Sequence, residues 1–186
     1  MIVILEGVNC TGKSTMAEFL RRAMGFRYLN DDTIHSAQAP DEIKQLCEGG
    51  IKALTEAFKS LSGINLLVDR FHLTEYVHGL LDRGYDASYI IEIDKQLSLL
   101  GAKLLYMTDD IFLINKRVGK DLTRYKNAFD NVFLYSSIDK RHYNLLEPVS
   151  VIVDWLTKGI EDEKKQTVRC TSEVSGQLNF FQSSSS

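Results

Sequence analysis

Apolar residues along the chain fall into two kinds of pattern, short unbroken runs and stripes at helical spacing. The runs are Ile2-Val3-Ile4-Leu5, Phe26-Arg27-Tyr28-Leu29, Ile64-Asn65-Leu66-Leu67-Val68, Lys103-Leu104-Leu105-Tyr106-Met107 and Pro148-Val149-Ser150-Val151-Ile152-Val153. Each has the length of a buried strand. Between the first two, Met16, Phe19, Leu20, Ala23 and Met24 mark one face of a helix over Lys13 to Met24, with Glu18, Arg21 and Arg22 opposite. After Pro40, Ile43, Leu46, Cys47, Ile51, Leu54, Phe58 and Leu61 predict a second helix, with Gly49-Gly50 as a point where it kinks or splits. Thr74 to Arg83 and Ala87 to Leu100 read as helices closed by Gly84 and Gly101. Further helices are expected over Ile111 to Val118 and over most of Leu122 to Tyr143.

Short apolar strands separated by helices predict an α/β fold, a parallel five-stranded sheet with helices on both faces and right-handed crossovers. In such sheets ligands bind at the carboxyl ends of the strands. The residues that follow each strand therefore carry the chemistry: Gly7 to Ser14, Asp31-Asp32, Asp69-Arg70 and Thr108 to Asp110. Residues 1–165 read as one domain, and the polar stretch 166–186, ending in four serines, as a disordered tail outside it.

Directly after the first run stands Gly7-Val8-Asn9-Cys10-Thr11-Gly12-Lys13-Ser14-Thr15, the pattern G-x-x-x-x-G-K-[ST] between a strand and a helix. Successive main-chain amides at a helix N-terminus form a nest for phosphates. Gly7 and Gly12 are expected to let the backbone curl where a Cβ would meet the ligand. Lys13 would reach the β- and γ-phosphates of ATP, and the Ser14 hydroxyl would ligate Mg²⁺. This is the signature of the three-layer P-loop NTPase fold.

Charge and cysteine content narrow the partners. The net charge is -3, and no Lys/Arg block resembles a duplex-binding footprint, so a small-molecule nucleotide is the expected acceptor and a nucleic acid is disfavoured. Cys10, Cys47 and Cys170 lack C-x-x-C spacing, which argues against a disulfide framework or a zinc site. No apolar run approaches a membrane span, and the chain opens directly on its first strand, so a cytoplasmic protein is expected. The apolar stripes of 74–81 and 87–100 suit either burial or a homodimer.

Two further constellations bear on the reaction. In Leu67-Val68-Asp69-Arg70-Phe71-His72, the acid at a strand end can order Mg²⁺ or accept a proton from an attacking oxygen, and the arginine offers a planar fork for phosphate. From Asn115 to Arg124, Lys116, Arg117, Lys120 and Arg124 surround Gly119, either a basic lid over a transferring phosphoryl group or a solvated helix end. Asn115-Lys116-Arg117-Val118 lacks the aspartate of the guanine-reading N-K-x-D, which argues against a GTPase.

Taken together, Leu5-Glu6-Gly7, Asp69-Arg70-Phe71, and Leu105-Tyr106-Met107 running on to Lys116-Arg117 resemble the thymidylate kinase and deoxynucleoside kinase superfamily. Asp121-Leu122-Thr123-Arg124, followed by Phe129, Val132 and Tyr135, resembles the helical lid of thymidylate kinases. The resemblance covers residues 1–158. It implies transfer of the ATP γ-phosphoryl to a deoxynucleoside monophosphate, dTMP-like or a modified pyrimidine, with Mg²⁺. Arg70 would clamp the acceptor phosphate, Asp69 would organise acceptor and metal, and Arg117 and Arg124 would act from the lid. Phe71 would line the nucleoside pocket. Apart from the resemblance, Asp31, Asp32 and His35, which follow the second run, are either ligands of a sugar or an alternative base or turn and cap residues. The chain departs from that family at Asn9, where thymidylate kinases place an aspartate, and it has no arginine between Arg27 and Arg70 for the usual base-reading F-x-x-x-R. A kinase acting on the free nucleoside, one acting on a nucleic-acid end or modified base, and a non-catalytic ATP-binding module are the alternatives.

Overall fold

The computed structural model describes residues 1–30, 40–61 and 63–158. It divides into two compact units, Met1–Leu146 and Glu147–Ser186. In the first, five parallel strands form one sheet in the order β2-β3-β1-β4-β5, from β1 (Ile2–Glu6), β2 (Arg27–Asn30), β3 (Leu66–Asp69), β4 (Lys103–Thr108) and β5 (Asp139–Asn144). β1 lies at the centre and is buried along its whole length, its four apolar residues as a run between two neighbours must be, and Glu6 with them. The register sets Leu5 beside Asp69 and Glu6 beside Tyr106, so the residues after β1, β3 and β4 converge on one edge of the sheet.

The helices are α1 (Lys13–Met24), α2 (Pro40–Lys59), α3 (His72–His78), α4 (Ile90–Leu99), α5 (Ile111–Val118) and α6 (Thr123–Tyr135). α1 buries Met16, Ala17 and Leu20, and Gly25 closes it in the left-handed conformation. α2 runs unbroken through Gly49-Gly50, where the sequence suggested a kink, because burial of Cys47, Ile51 and Phe58 outweighs the weak propensity of the pair. The helix expected over Thr74 to Arg83 starts two residues earlier and gives way after His78 to a π-helical turn, Gly79–Arg83.

Two expectations near the end are corrected. The helix expected over Leu122 to Tyr143 ends at Tyr135, and the fifth strand is Asp139–Asn144. β5 pairs only with β4, at the sheet edge, so most of its residues stay partly exposed and the segment carries no apolar run. Lys140 turns back to donate to the carbonyls of Phe133, Leu134 and Ser136 at 2.9, 2.7 and 2.7 Å, ending α6. The segment 148–153, expected as the last strand, opens a seventh helix over 150–158. Val149, Ile152, Val153 and Leu156 follow a helical period, and Pro148 suits the start. The tail 166–186 lies outside the described residues.

Candidate active site

Between β1 and α1 the chain forms the phosphate loop, residues 7–15. Gly7 has φ 132°, and a Cβ there would lie 2.2 Å from the Met107 carbonyl oxygen. Gly12 has φ 85° and would collide with Leu145. Gly7 is therefore required by a backbone contact and Gly12 by its left-handed conformation, both within the protein, whereas the sequence pointed to a clash with ligand. The side chain of Thr11 ties the turn by donating to Val8 O at 2.9 Å. Lys13, buried, folds back so that Nζ donates to Gly7 O at 2.7 Å and Val8 O at 2.6 Å. Burial and the nearby charge of Arg70 pull its pKa down to about 8, against the opposing pull of Asp69 and Glu6. Ser14 and Thr15 are exposed at the mouth of a cleft shared with Lys13, Asn30, Asp69 and Arg70.

Asp69, the last residue of β3, is buried. The Tyr28 hydroxyl of β2 donates to its Oδ2 at 2.8 Å, and its Oδ1 is buried without a hydrogen-bond partner. A buried carboxylate oxygen without a partner calls for one, and Asp69 lines the same cleft as Ser14. One carboxylate and one hydroxyl beside a phosphate cleft suit Mg²⁺, which keeps much of its water and takes few protein ligands. These residues fit that ion.

The next residue, Arg70, sits at φ 66°, a conformation rare for a side chain of its size. Its amide donates to Leu5 O at 2.9 Å, and its Nη2 donates to Asn9 Oδ1 at 2.8 Å. Glu6 locks this turn. Its fully buried carboxylate accepts from the amides of Phe71, Leu73 and Thr74 at 3.0, 3.0 and 3.3 Å and from the Thr74 hydroxyl. It thus supplies the cap that the first turn of α3 lacks on its own. In the sequence Glu6 stands out only as part of Leu5-Glu6-Gly7. Its signal was an acid at the end of a fully apolar strand.

On the other side, Arg117 of α5 reaches the loop, with Nη1 3.3 Å from Cys10 O and 2.7 Å from Asp109 Oδ2. Burial raises the Asp109 pKa, but hydrogen bonds from the Asp110 amide and Arg117 outweigh it and hold the carboxyl below its usual range. Asp109 was another residue not singled out individually.

Arg70 also lines a second cleft, with Asn9, Thr74, His78, Lys120 and Tyr125 among others. Arg70 lines both clefts. Lys120 reaches the second, whereas Arg124 is exposed at the start of α6 and lines neither. Phe71, expected to line the nucleoside pocket, is buried in the core with its ring 5.6 Å from that of Phe58. An apolar side chain following Arg70 anchors the turn, and the apolar part of the cleft lining comes from Val8, Leu122 and Phe129 instead. Asp31, Asp32 and His35 lie outside the described residues.

With this geometry in hand, the fold is that of the P-loop nucleoside monophosphate and deoxynucleoside kinases. The YorR protein of Bacillus subtilis, solved with phosphorylated GDP, matches with a TM-score of 0.65 at 21% identity, over 89% of this chain and 98% of its own. The thymidylate kinase of Candida albicans matches at 0.57 and 17% identity, over 88% and 92% of the two chains. The deoxyadenosine kinase of M. mycoides, solved with dATP, matches at 0.58 and 11% identity, over 87% and 100%. No family model and no curated protein matches the sequence. Among the described residues no helix is long and apolar enough to cross a membrane.

Proposed function

We propose that this protein is a nucleotide kinase that moves the γ-phosphoryl of MgATP to a deoxynucleoside monophosphate, giving ADP and the diphosphate. The observation that carries this reading is that Arg70 lines both the phosphate-loop cleft and the second cleft. A guanidinium there can hold an acceptor phosphate in line with a donor γ-phosphate.

In this reading, an oxygen of the acceptor phosphate attacks the γ-phosphorus. The bond to the β,γ-bridging oxygen breaks, and ADP leaves with the electron pair. Lys13 gives up the Gly7 and Val8 carbonyls for the β- and γ-phosphates, and Arg117, held by Asp109, places charge beside the transferring group. Ser14 and the free oxygen of Asp69 would hold Mg²⁺, which supplies charge neutralisation on the phosphates. Catalysis is then mostly positioning, because phosphoryl transfer asks little covalent chemistry of the protein. The family resemblance favours thymidylate or a modified pyrimidine monophosphate as the acceptor.

The test is a panel of nucleosides, nucleoside monophosphates and oligonucleotides with MgATP, scored by ADP release and product analysis. Turnover of monophosphates alone supports the reading. Turnover of free nucleosides alone would make Asp69 a general base and replace it. ATP binding with no acceptor used would point to a sensing module.

A further inference from the structure

The second cleft has a chemical direction. At one end it meets the glycine loop, through Gly7, Val8 and Asn9, and the Arg70 side chain that is bonded to Asn9. From there α3 lays Thr74 and His78 along the cleft, and the π-helical turn adds Asp82. Steps of four residues advance about 6 Å each along a helix, so His78 and Asp82 stand progressively farther from the phosphate end. Insertions of π-helical geometry into a helix frequently accompany functional sites.

At that far end three side chains form a closed unit. His78 Nδ1 and the Tyr125 hydroxyl both bind the Asp82 carboxylate, one to each oxygen. The His78 and Tyr125 rings lie 5.6 Å apart, and all three residues line the cleft. Their proton positions follow from Asp82. Burial raises its pKa, but hydrogen bonds from Tyr125 and His78 outweigh this and hold it below the usual carboxylate range. The hydrogen bond to Asp82, with burial, raises the Tyr125 pKa, so its hydroxyl stays protonated and donates. An ionised carboxylate only accepts, so Nδ1 of the imidazole carries its hydrogen, and in the neutral form of the ring the lone pair lies on Nε2. The Tyr125 oxygen, having donated, likewise keeps lone pairs. Both groups therefore offer acceptors to whatever fills the far end of the cleft.

We infer that His78 and Tyr125, positioned by Asp82, read the base of the acceptor nucleotide and select bases that carry a ring N–H. Guanine, thymine and uracil present such a donor at the edge remote from the sugar. Adenine and cytosine place a ring nitrogen lone pair there, which would face the lone pair of His78. A mismatch between hydrogen-bonding edges of this kind costs about tenfold or more in discrimination. His78 and Tyr125 are specificity-determining residues and Asp82 is a positioning residue. The inference rests on reading the second cleft as the acceptor site.

The experiment measures the affinities of dGMP, dTMP, dUMP, dAMP and dCMP by calorimetry, with ADP and Mg²⁺ present, alongside kcat/KM for each with MgATP. The wild type is expected to favour dGMP, dTMP and dUMP over dAMP and dCMP by about tenfold. In Asp82→Asn and His78→Ala that ratio is expected to fall toward unity, while the KM for ATP changes less than twofold. Tyr125→Phe, which removes only one oxygen, provides a variant whose folding is not in question, and it is expected to lose part of the ratio. Preference of the wild type for dAMP or dCMP, or a ratio unchanged in all three variants, overturns the inference. Absence of transfer to any monophosphate defeats the kinase reading separately, because the binding ratios still report what the cleft reads. Absence of binding by all five defeats both.

Discussion

The hydroxyl of Tyr28 donates to Asp69 Oδ2 at 2.8 Å across neighbouring strands, and the other oxygen of that carboxylate is buried without a hydrogen-bond partner among the described residues. The tyrosine fixes which oxygen is left for another partner. Outer partners of this kind typically alter metal affinity or activity by about 10–100-fold when removed. Tyr28→Phe is therefore expected to raise the Mg²⁺ concentration for half-maximal turnover by about tenfold with less effect on kcat at saturating metal. Asp69→Asn should lower turnover at every Mg²⁺ concentration. A titration of rate against Mg²⁺ checks both.

Lys13 gives the site a pH dependence with a definite sign. In the free protein its pKa is pulled down to about 8, by burial first and by Arg70 second. A bound polyphosphate favours the charged ammonium and raises that value again. ATP binding is then expected to take up a proton above pH 8 and to weaken as pH rises through that range, by up to about tenfold per unit. Calorimetry at pH 8.5 in buffers of different ionisation enthalpy measures the uptake. Lys13→Met should abolish both the proton uptake and phosphoryl transfer.

Arg117 is held over the loop by Asp109, and the two should behave as a unit. Arg117→Ala is expected to lower kcat by about 10²-fold, as the loss of one donor to a transition-state charge does. Asp109→Ala should cost roughly tenfold by releasing the guanidinium, and the double variant little more than Arg117→Ala alone. Steady-state kinetics of the three variants test the coupling.

Glu6 is buried with four hydrogen bonds to the start of α3. Replacing it with alanine strands three amides and is expected to cost about 2–4 kcal/mol, read from urea unfolding. Because the same bonds set the Arg70 turn, the surviving folded protein should also show a raised acceptor KM.

Much of this site was legible in the sequence because its chemistry is local. The phosphate loop is nine consecutive residues between a strand and a helix, and Asp69-Arg70 ends an apolar run, so both positions follow from the hydrophobic pattern alone. What the sequence concealed depends on neighbours distant along the chain. Tyr28 meets Asp69 41 residues away and Glu6 caps a helix 65 residues on, contacts that exist only once the strand order is set. The edge strand Asp139–Asn144 escaped notice because a strand with one neighbour need not be apolar, and 148–153 was misread because β-branched residues there also fit a helical period. Phe71 resembled a pocket residue by motif, but the core behind β3 claims it.

The central claim is that the two clefts joined at Arg70 hold donor and acceptor phosphates of one reaction. The most direct measurement supplies γ-labelled ATP, Mg²⁺ and a deoxynucleoside monophosphate to the wild type and to Arg70→Ala, and follows the label. The account predicts label in the deoxynucleoside diphosphate with the wild type, and a loss of about 10²-fold or more in acceptor kcat/KM with Arg70→Ala, while ATP affinity is largely kept. Label that reaches no monophosphate, or transfer that proceeds unchanged without Arg70, would contradict it.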